Sequence, residues 1–285
     1  MSGKTVEVIV VPYDVERRDT EMARAPRELL ARGFPDRLRE AGWEVHLTEI
    51  EDPPVGASKE ETVIAVGRGI SGAVARARSQ GRFPLVLSGG CLAAVGVVAG
   101  LQRLGRDPGV VWIDAHGDFN TPGSSPSGYW DGMALAAICG RSLPEVSEGI
   151  GLRRPIPLRD VVHLAGRDFD PPEAEDARRL GLAAIPAERI CDEPSIEQLR
   201  GRAAARELYL HVDLDGLDPQ DAPAVSVPVP GGARLAELLR CLTALPAPAA
   251  MTFSALGFDQ ASDEEAARTL ETCARLVDAC APARA

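Results

Sequence analysis

The sequence has little of what nucleic-acid-binding and membrane proteins require. It carries 31 Lys and Arg against 42 Asp and Glu, for a net charge of −11, and it shows no basic stripe. Because nucleic-acid binding depends on cations clustered against phosphates, we expect no nucleic-acid partner. No apolar run reaches the ~18 residues of a membrane helix, so we expect no membrane partner. The acidic balance instead favours a cationic substrate or metal ions.

Export signals and cysteine motifs are also lacking. The N-terminal stretch runs straight into a strand pattern, without the charged start, apolar stretch and cleavage site of a signal peptide. We therefore expect a cytoplasmic protein whose cysteines are mostly reduced and packed in its core. No C-x-x-C pair occurs among these cysteines, which are Cys91, Cys139, Cys191, Cys241, Cys273 and Cys280.

The sequence does contain an alternation of strand and helix patterns along its 285 residues. The predicted strands are Val6–Tyr13, Trp43–Ile50, Phe83–Ser88, Val110–Ala115, Val161–Ala165, Leu208–Asp213 and Met251–Phe258. The predicted helices are Pro26–Ala41, Lys59–Ser79, Leu92–Leu104, Pro171–Leu180, Arg234–Ala244 and Asp263–Ala281. This pattern predicts a single α/β domain over residues 1–285, with a mostly parallel sheet sandwiched between helices.

Two long loops interrupt the alternation. One, Asp14–Ala25, is rich in charge, and the other, Gly117–Asp131, is rich in Gly, Pro, Ser and Thr. Loops of about 12 residues or more inside a compact domain are often functional, so we expect both to border a site.

Acidic clusters follow two of the predicted strands. Asp114, His116 and Asp118 follow one strand, and Asp213 and Asp215 end another. Because ligands bind at the carboxyl ends of parallel strands, and residues i and i+2 of an extended chain point the same way, these groups can converge. Carboxylates with one imidazole suit Mn²⁺, and two such ions can activate a shared water. The sequence therefore predicts a two-metal hydrolytic site.

An ordinary structural role is the alternative for several of these residues. A single D-x-H-x-D pattern is also compatible with a polar turn at the end of a strand, although two acidic clusters together favour metal binding. The other histidines, His46, His163 and His211, lie within strand patterns. We interpret them as packed strand residues, and although His211 shares a face with Asp213, it lies further back in the strand.

These motifs resemble those of the arginase/agmatinase (ureohydrolase) family. The family signatures G-G-D-H, D-A-H-x-D and D-x-D-x-x-D-P correspond to G-G-C ending at Cys91 and to the intact segments 114–118 and 213–219. The resemblance covers nearly the whole chain and implies an arginase-like three-layer α/β/α fold. It implies that Asp114 and Asp213 bridge two Mn²⁺ ions. His116 and Asp215 would complete one site, and Asp118 and Cys91 the other, weaker one.

The same resemblance implies a substrate-binding region. Asn120 and Ser127 resemble residues that hold a substrate α-carboxylate, and Asp168 and Asp170 resemble acids that hold an α-amino group. Hydroxyl and amide donors suit a carboxylate, and carboxylates suit an ammonium, so an α-amino acid substrate is indicated. Alternatively, Asn120 and Ser127 only organise a proline-rich turn.

Three positions depart from the family pattern. Cys91 replaces a ligand His, and it is preceded by Gly90 where the family usually has Asp. As a thiolate, Cys91 could bind a softer metal; alternatively, it is an inert buried thiol. Its place at the start of a helix is expected to lower the thiol pKa. A Cys here is also a feature of the Nω-hydroxyarginine-hydrolysing relatives of cycloserine biosynthesis, which the chain resembles.

The second departure is Asp131, which stands where the family has a catalytic His. It could transfer a proton, pair with a cationic substrate, or cap a helix beginning near Gly132. The third departure concerns the acid that binds the guanidinium group in the family. Its position falls on Gly257 in this sequence, and Asp259 is the nearest acid. We expect Asp118 and Asp131 to act in catalysis, and Asp259 to help bind substrate.

The resulting expectation is a metal-dependent amidinohydrolase acting on a small guanidino or amidino compound, possibly derived from an amino acid in the manner of hydroxyarginine. The alternatives are a hydrolase of another amide or C–N bond on the same scaffold, and a catalytically silent relative that binds metal or ligand. Family resemblance further implies a homo-oligomer, either a trimer or a hexamer.

Overall fold

Within the described residues, the strands pair in parallel and build one eight-stranded sheet with the order β2-β1-β3-β8-β7-β4-β5-β6. The computed structural model describes residues 4–18, 20–203 and 206–280. The strands are β1 (Lys4–Val11), β2 (Trp43–Glu49), β3 (Phe83–Ser88), β4 (Gly109–Ile113), β5 (Val161–Leu164), β6 (Ala183–Ile185), β7 (Leu208–Asp213) and β8 (Ala250–Ser254). The predicted parallel α/β sheet is thereby confirmed.

Helices cover both faces of this sheet. They are α1 (Glu21–Ala31), α2 (Phe34–Glu40), α3 (Lys59–Ser79), α4 (Ala93–Arg103), α5 (Ala134–Ile138), α6 (Pro144–Ile150), α7 (Pro171–Leu180), α8 (Glu193–Ala203), α9 (Leu235–Thr243) and α10 (Asp263–Ala279). Along β1, Val8 and Val10 belong to one hydrophobic core, whereas Ile9 and Val11 belong to the other. Because successive strand residues point to opposite faces, this alternation gives the predicted three-layer arrangement.

Local signals explain where the helices begin. The side chains of Ser58 and Glu61 form a capping box with the backbone at the start of α3, and Asp170 and Glu173 do the same for α7. Both helices span the predicted residues. Every helix within the described residues is too short or too polar to cross a bilayer.

Several predicted boundaries are wrong, for identifiable reasons. The helix predicted over residues 26–41 is two helices, because Gly33 between α1 and α2 has a φ of +94°. The loop predicted over residues 14–25 is shorter, because Thr20 caps α1 and starts it at Glu21.

The last predicted strand stops at Ser254, because Ala255 has a φ of +54° and turns the chain. The short strand β6 and the helices α6 and α8 were not predicted. The last residue of the helix predicted over 263–281 lies outside the described residues, as do the ends of the domain predicted over residues 1–285.

Candidate active site

Polar side chains collect where four neighbouring strands end. The strands β3, β8, β7 and β4 are adjacent in the sheet, and Asp213 of β7 pairs with Ser254 of β8. Because Ile113 of β4 is paired with Val212 of β7, the residue after Ile113 also lies level with Asp213. Asp114 and Asp213, which are 99 positions apart in the sequence numbering, therefore share one edge of the sheet.

One group at this edge consists of Asp114, His116 and Asp215, here called the His116 cluster. The Nδ1 atom of His116 lies 3.2 Å from an Asp215 oxygen and 3.5 Å from an Asp114 oxygen. Hydrogen bonds from the His116 imidazole to the Asp114 and Asp215 carboxylates strongly raise the pKa of His116. Burial opposes ionisation of Asp215, but His116 outweighs it and lowers the pKa of this carboxyl. The imidazole thus compensates Asp215, whereas burial and the neighbouring Asp215 raise the pKa of Asp114 to about 7.

Interior strand residues fix the orientation of this cluster. Trp112 donates from Nε1 to the Asp114 carboxylate at 3.0 Å, and the backbone N–H of His116 donates to the same carboxylate at 2.7 Å. The Nε2 atom of His163 lies 2.7 Å from the carbonyl oxygen of His116. The backbone N–H of Ala115 donates to Asp215 at 3.1 Å. These bonds hold the acidic side chains in one arrangement.

The second group, here called the Cys91 cluster, consists of Cys91, Asp118, Asp213 and Ser254. The Cys91 thiol donates to Asp213 at 3.1 Å, and its sulfur lies 3.2 Å from the hydroxyl of Ser254, which donates to the same Asp213 oxygen at 3.3 Å. All four side chains are buried. A thiol, a hydroxyl and a carboxylate oxygen thus meet at one point.

The predicted lowering of the Cys91 pKa is wrong when the protein's own groups are considered. Burial raises the pKa of the Cys91 thiol well above its usual value, and Asp118 and Asp213 raise it further. Burial, together with the negative charge around the sulfur, therefore outweighs the helix N-terminus that was expected to stabilise the thiolate.

Asp118 is the least compensated acid of the site. Its backbone has a φ of +48°, and its Oδ2 atom is buried without a hydrogen-bond partner among the described residues. Burial raises its pKa, and Asp114 raises it further. Since a buried carboxylate oxygen without a partner is costly, the observation fits a bound cation at this position.

The available donor atoms also fit divalent metal. Ligand atoms of Asp114, His116 and Asp215 lie within 4.8 Å of one another, and so do those of Cys91, Asp114 and His211. Oxygen and imidazole ligands suit Mn²⁺, whereas a thiolate favours softer metals. The residues present therefore fit a metal centre with two unequal halves.

A cavity of about 270 Å³ opens onto these groups. Its walls include the predicted substrate residues Asn120, Ser127, Asp168 and Asp170, and also residues of both clusters. Asn120 donates from its amide to Asp170 at 2.8 Å and accepts from Ser124 at 2.9 Å. Asn120 therefore organises its loop and lines the cavity at the same time, which combines the two interpretations of the sequence.

The structure brings Asp131 to the same cavity but gives it a different helix to cap. Its carboxylate accepts hydrogen bonds from the backbone N–H groups of Cys91 at 3.0 Å and Leu92 at 2.9 Å, at the start of α4. A Cβ atom at Gly90 would lie 2.5 Å from this carboxylate. Gly90 and Asp131 are therefore sterically matched. Burial raises the pKa of Asp131 to about 6.

Asp259 is not brought to the site. Its carboxylate pairs with Arg24 at 2.6 Å, and it is not among the residues that line the cavity. Gly257 occupies the position where the resembling family has an acid. A Cβ atom at Gly257 would lie 2.9 Å from the Oε1 atom of Glu21. Met22, which follows Glu21, lines the cavity. An acid thus reaches this position from α1.

Sequence reasoning missed several residues that shape the site. Trp112 and Ser254 contact the acidic groups directly. Two-residue spacing from Asp114 was the only signal for Trp112. Ser254 has none, because its contact depends on how β8 pairs with β7.

The chain is similar in sequence and fold to known proteins. The chain matches the family model of the Arginase family over residues 4–281. It is 32% identical over 250 residues to the arginase of Brevibacillus brevis, covering 81% of this chain and 82% of that one. The crystal structure of arginase from Bacillus subtilis is similar, with a TM-score of 0.84 and 28% identity over 97% of this chain and 98% of that one. The proclavaminate amidino hydrolase of Streptomyces clavuligerus shares the fold, with a TM-score of 0.71 and 20% identity over 99% of this chain and 93% of that one.

Proposed function

This chain belongs to the arginase family, whose members are metal-dependent amidinohydrolases, and from that premise we propose that it cleaves a C–N bond of a small guanidino compound derived from an amino acid. Hydroxyarginine-like compounds are the first candidates. The observation that carries the proposal is the convergence of His116, Asp213 and Asp215 on one cavity, with Asp114 in contact with His116 behind them.

The acidic residues would hold the metal. We assign Asp114 and Asp213 as shared ligands, His116 and Asp215 to one position, and Asp118 and Cys91 to the other. When bound, divalent metal supplies the positive charge that makes water nucleophilic at neutral pH. The partnerless oxygen of Asp118 supports this assignment.

The remaining cavity residues would bind and orient the substrate. Because all four line the cavity, we assign Asp168 and Asp170 to accept from an α-ammonium group, and Asn120 and Ser127 to donate to an α-carboxylate. We assign proton transfer between the attacking water and the leaving nitrogen to Asp131, which lines the cavity and is held in place by two backbone N–H groups.

We assign recognition of the guanidino group to Glu21. Its carboxylate lies against Gly257, and the wall of the cavity includes Met22, the next residue after Glu21, and Ala255, two positions before Gly257. A carboxylate facing a guanidinium forms short charge-assisted hydrogen bonds, which supports this role.

The test is release of urea or ammonia from a panel of guanidino, ureido and amidine compounds, with Mn²⁺ added. We expect turnover of at least one α-amino acid derivative, and its loss in the Asp213→Asn variant. Failure of the fully metal-loaded protein to cleave any panel member would contradict the proposal. Cleavage of simple amides alone would instead support a different hydrolase on this scaffold.

We further propose manganese as the metal of the His116 cluster and a trimer or hexamer as the assembly. Elemental analysis of the purified protein tests the first proposal, and light scattering tests the second. A monomer at micromolar concentration would contradict the assembly.

A further inference from the structure

The proposed second metal position has a further candidate ligand, His211, which the sequence analysis interpreted as a packed strand residue. The ligand atoms of Cys91, Asp114 and His211 all lie within 4.8 Å of one another. These residues are 3%, 1% and 0% exposed, and they come from three different strand ends or strands. A thiol, a carboxylate and an imidazole that meet away from water form a ligand set rather than a solvated surface group.

The ring of His211 is held in a fixed orientation. It stacks on Trp112 with a centroid distance of 3.6 Å and an interplanar angle of 12°. Its Nε2 atom lies 3.3 Å from the hydroxyl of Ser254, which itself lies 3.2 Å from the sulfur of Cys91. Nε2 and the sulfur of Cys91 therefore contact the same hydroxyl.

The other ring nitrogen has its own partner. The Nδ1 atom of His211 lies 3.1 Å from the hydroxyl of Tyr209, and this hydroxyl lies 2.8 Å from that of Thr252. Metal-binding histidines commonly use the second ring nitrogen in such a hydrogen bond, which selects the tautomer and orients the ring. The Tyr209 contact leaves Nε2 as the nitrogen for a metal.

We propose that Cys91, His211 and Asp114 form a buried metal position that prefers a thiolate-binding ion such as Zn²⁺. This inference rests on the proposed function for the metal centre as a whole, but it adds a ligand and a metal preference. Because Asp114 also belongs to the His116 cluster, the two positions share a carboxylate. The protein would then hold two different metals, since oxygen and nitrogen ligands suit Mn²⁺ and a thiolate suits a softer ion.

Titration of the metal-stripped full-length protein with Co²⁺ tests this position. Co²⁺ bound to a thiolate gives a near-ultraviolet charge-transfer band, which reports on the sulfur ligand without any activity measurement. We expect this band in the wild-type protein and its loss in Cys91→Ser. The matched control is Cys273→Ser, which changes another buried cysteine and should retain the band.

The histidine ligand is tested with His211→Gln and Tyr209→Phe. We expect His211→Gln to weaken Co²⁺ binding in the thiolate site by about 10- to 100-fold, and Tyr209→Phe, which keeps the ring, to weaken it less. The control is His46→Gln, on the exposed side of β2. Circular dichroism verifies that each variant is folded. If His211→Gln does not fold, the Co²⁺ affinity of Tyr209→Phe provides the test.

Different outcomes separate this inference from the proposed function. If Co²⁺ binds and binding is lost in His116→Gln, but no charge-transfer band develops, only the thiolate position is overturned. If the band persists and neither His211→Gln nor Tyr209→Phe changes the affinity, His211 is not a ligand. If the protein binds no Co²⁺ at all, both proposals fail.

Discussion

The His116 cluster and the Cys91 cluster occupy the same edge of the sheet but balance their charges differently. In the His116 cluster, an imidazole lies 3.2 Å from Asp215, and the pKa of this acid is lowered. In the Cys91 cluster, burial raises the pKa of Cys91, Asp118 and Asp213. Within the described residues, the hydrogen bonds of Cys91 and Asp213 involve no cationic side chain that could lower these values.

The difference is that His116 supplies positive charge within one half of the site, whereas Cys91 and Asp213 in the other half have no cationic hydrogen-bond partner among the described residues. Metal entering the His116 cluster must displace a proton from His116, so acid should weaken binding there. Metal entering the Cys91 cluster relieves the repulsion among its acids, but it must take a proton from Cys91. The two positions should therefore differ in both metal preference and affinity.

The largest effect is expected from Asp213→Asn, which affects both halves of the site. Asp213 contacts Cys91 in one half, and its Oδ1 atom accepts from the backbone N–H of Asp215 in the other. We expect kcat/KM to fall by roughly a thousandfold, about 4 kcal/mol of barrier, with loss of bound metal. Asp263→Asn, at an exposed acid, is the control. Retention of activity by Asp213→Asn would disprove the shared role.

Cys91→His should remove the difference between the two halves. An imidazole would replace the thiol beside Asp213 and bind Mn²⁺ better than a buried thiol does. We expect Mn²⁺ affinity at the second position to rise by about 10- to 100-fold, as measured by calorimetry. Two equally tight Mn²⁺ ions in the wild-type protein would contradict the inequality of the two halves.

Glu21→Gln should leave both halves unchanged and affect only substrate binding. Its carboxylate lies against Gly257, outside the two clusters. We expect KM for a guanidino substrate to rise about tenfold, or about 1.4 kcal/mol, with metal content unchanged. Glu28→Gln, on the same helix, is the matched control. An unchanged KM in Glu21→Gln would remove this residue from recognition.

The smallest effect is expected at an ion pair remote from the site. Arg37 of α2 donates to Glu271 of α10 through two bonds of 2.6 and 2.9 Å, and this contact lowers the pKa of Glu271. We expect Arg37→Gln to cost about 0.2–1 kcal/mol of unfolding free energy at pH 7, because the pair is partly exposed.

The pH dependence of this pair has a definite sign. Since the folded pKa of Glu271 is lowered, its contribution is complete above the unfolded pKa of about 4.3 and is lost as the pH falls through the folded value. Urea unfolding at pH 7 and pH 3 should therefore show a smaller difference between wild type and Arg37→Gln at pH 3. An equal difference at both values would contradict this contribution.

Much of the fold could be predicted from local pattern. The apolar strands and the capped helices α3 and α7 follow from composition, spacing and cap residues, which act within a few positions of one another. The break at Gly33 was missed because a single glycine within a helical pattern is compatible both with a continuous helix and with a positive φ that ends one. The strand β6 has only three residues, too few for a periodic signal.

The sequence by itself determined the acids at the ends of β4 and β7 and the histidine after β4 as candidate ligands, because ligand type and two-residue spacing are local properties. Only the tertiary structure decided which distant groups meet: Cys91 with Ser254 and His211, Asp131 with the start of α4, and Glu21 with Gly257. The physical reason is that strand order and register set these contacts, and they arise from packing the whole sheet rather than from any single segment.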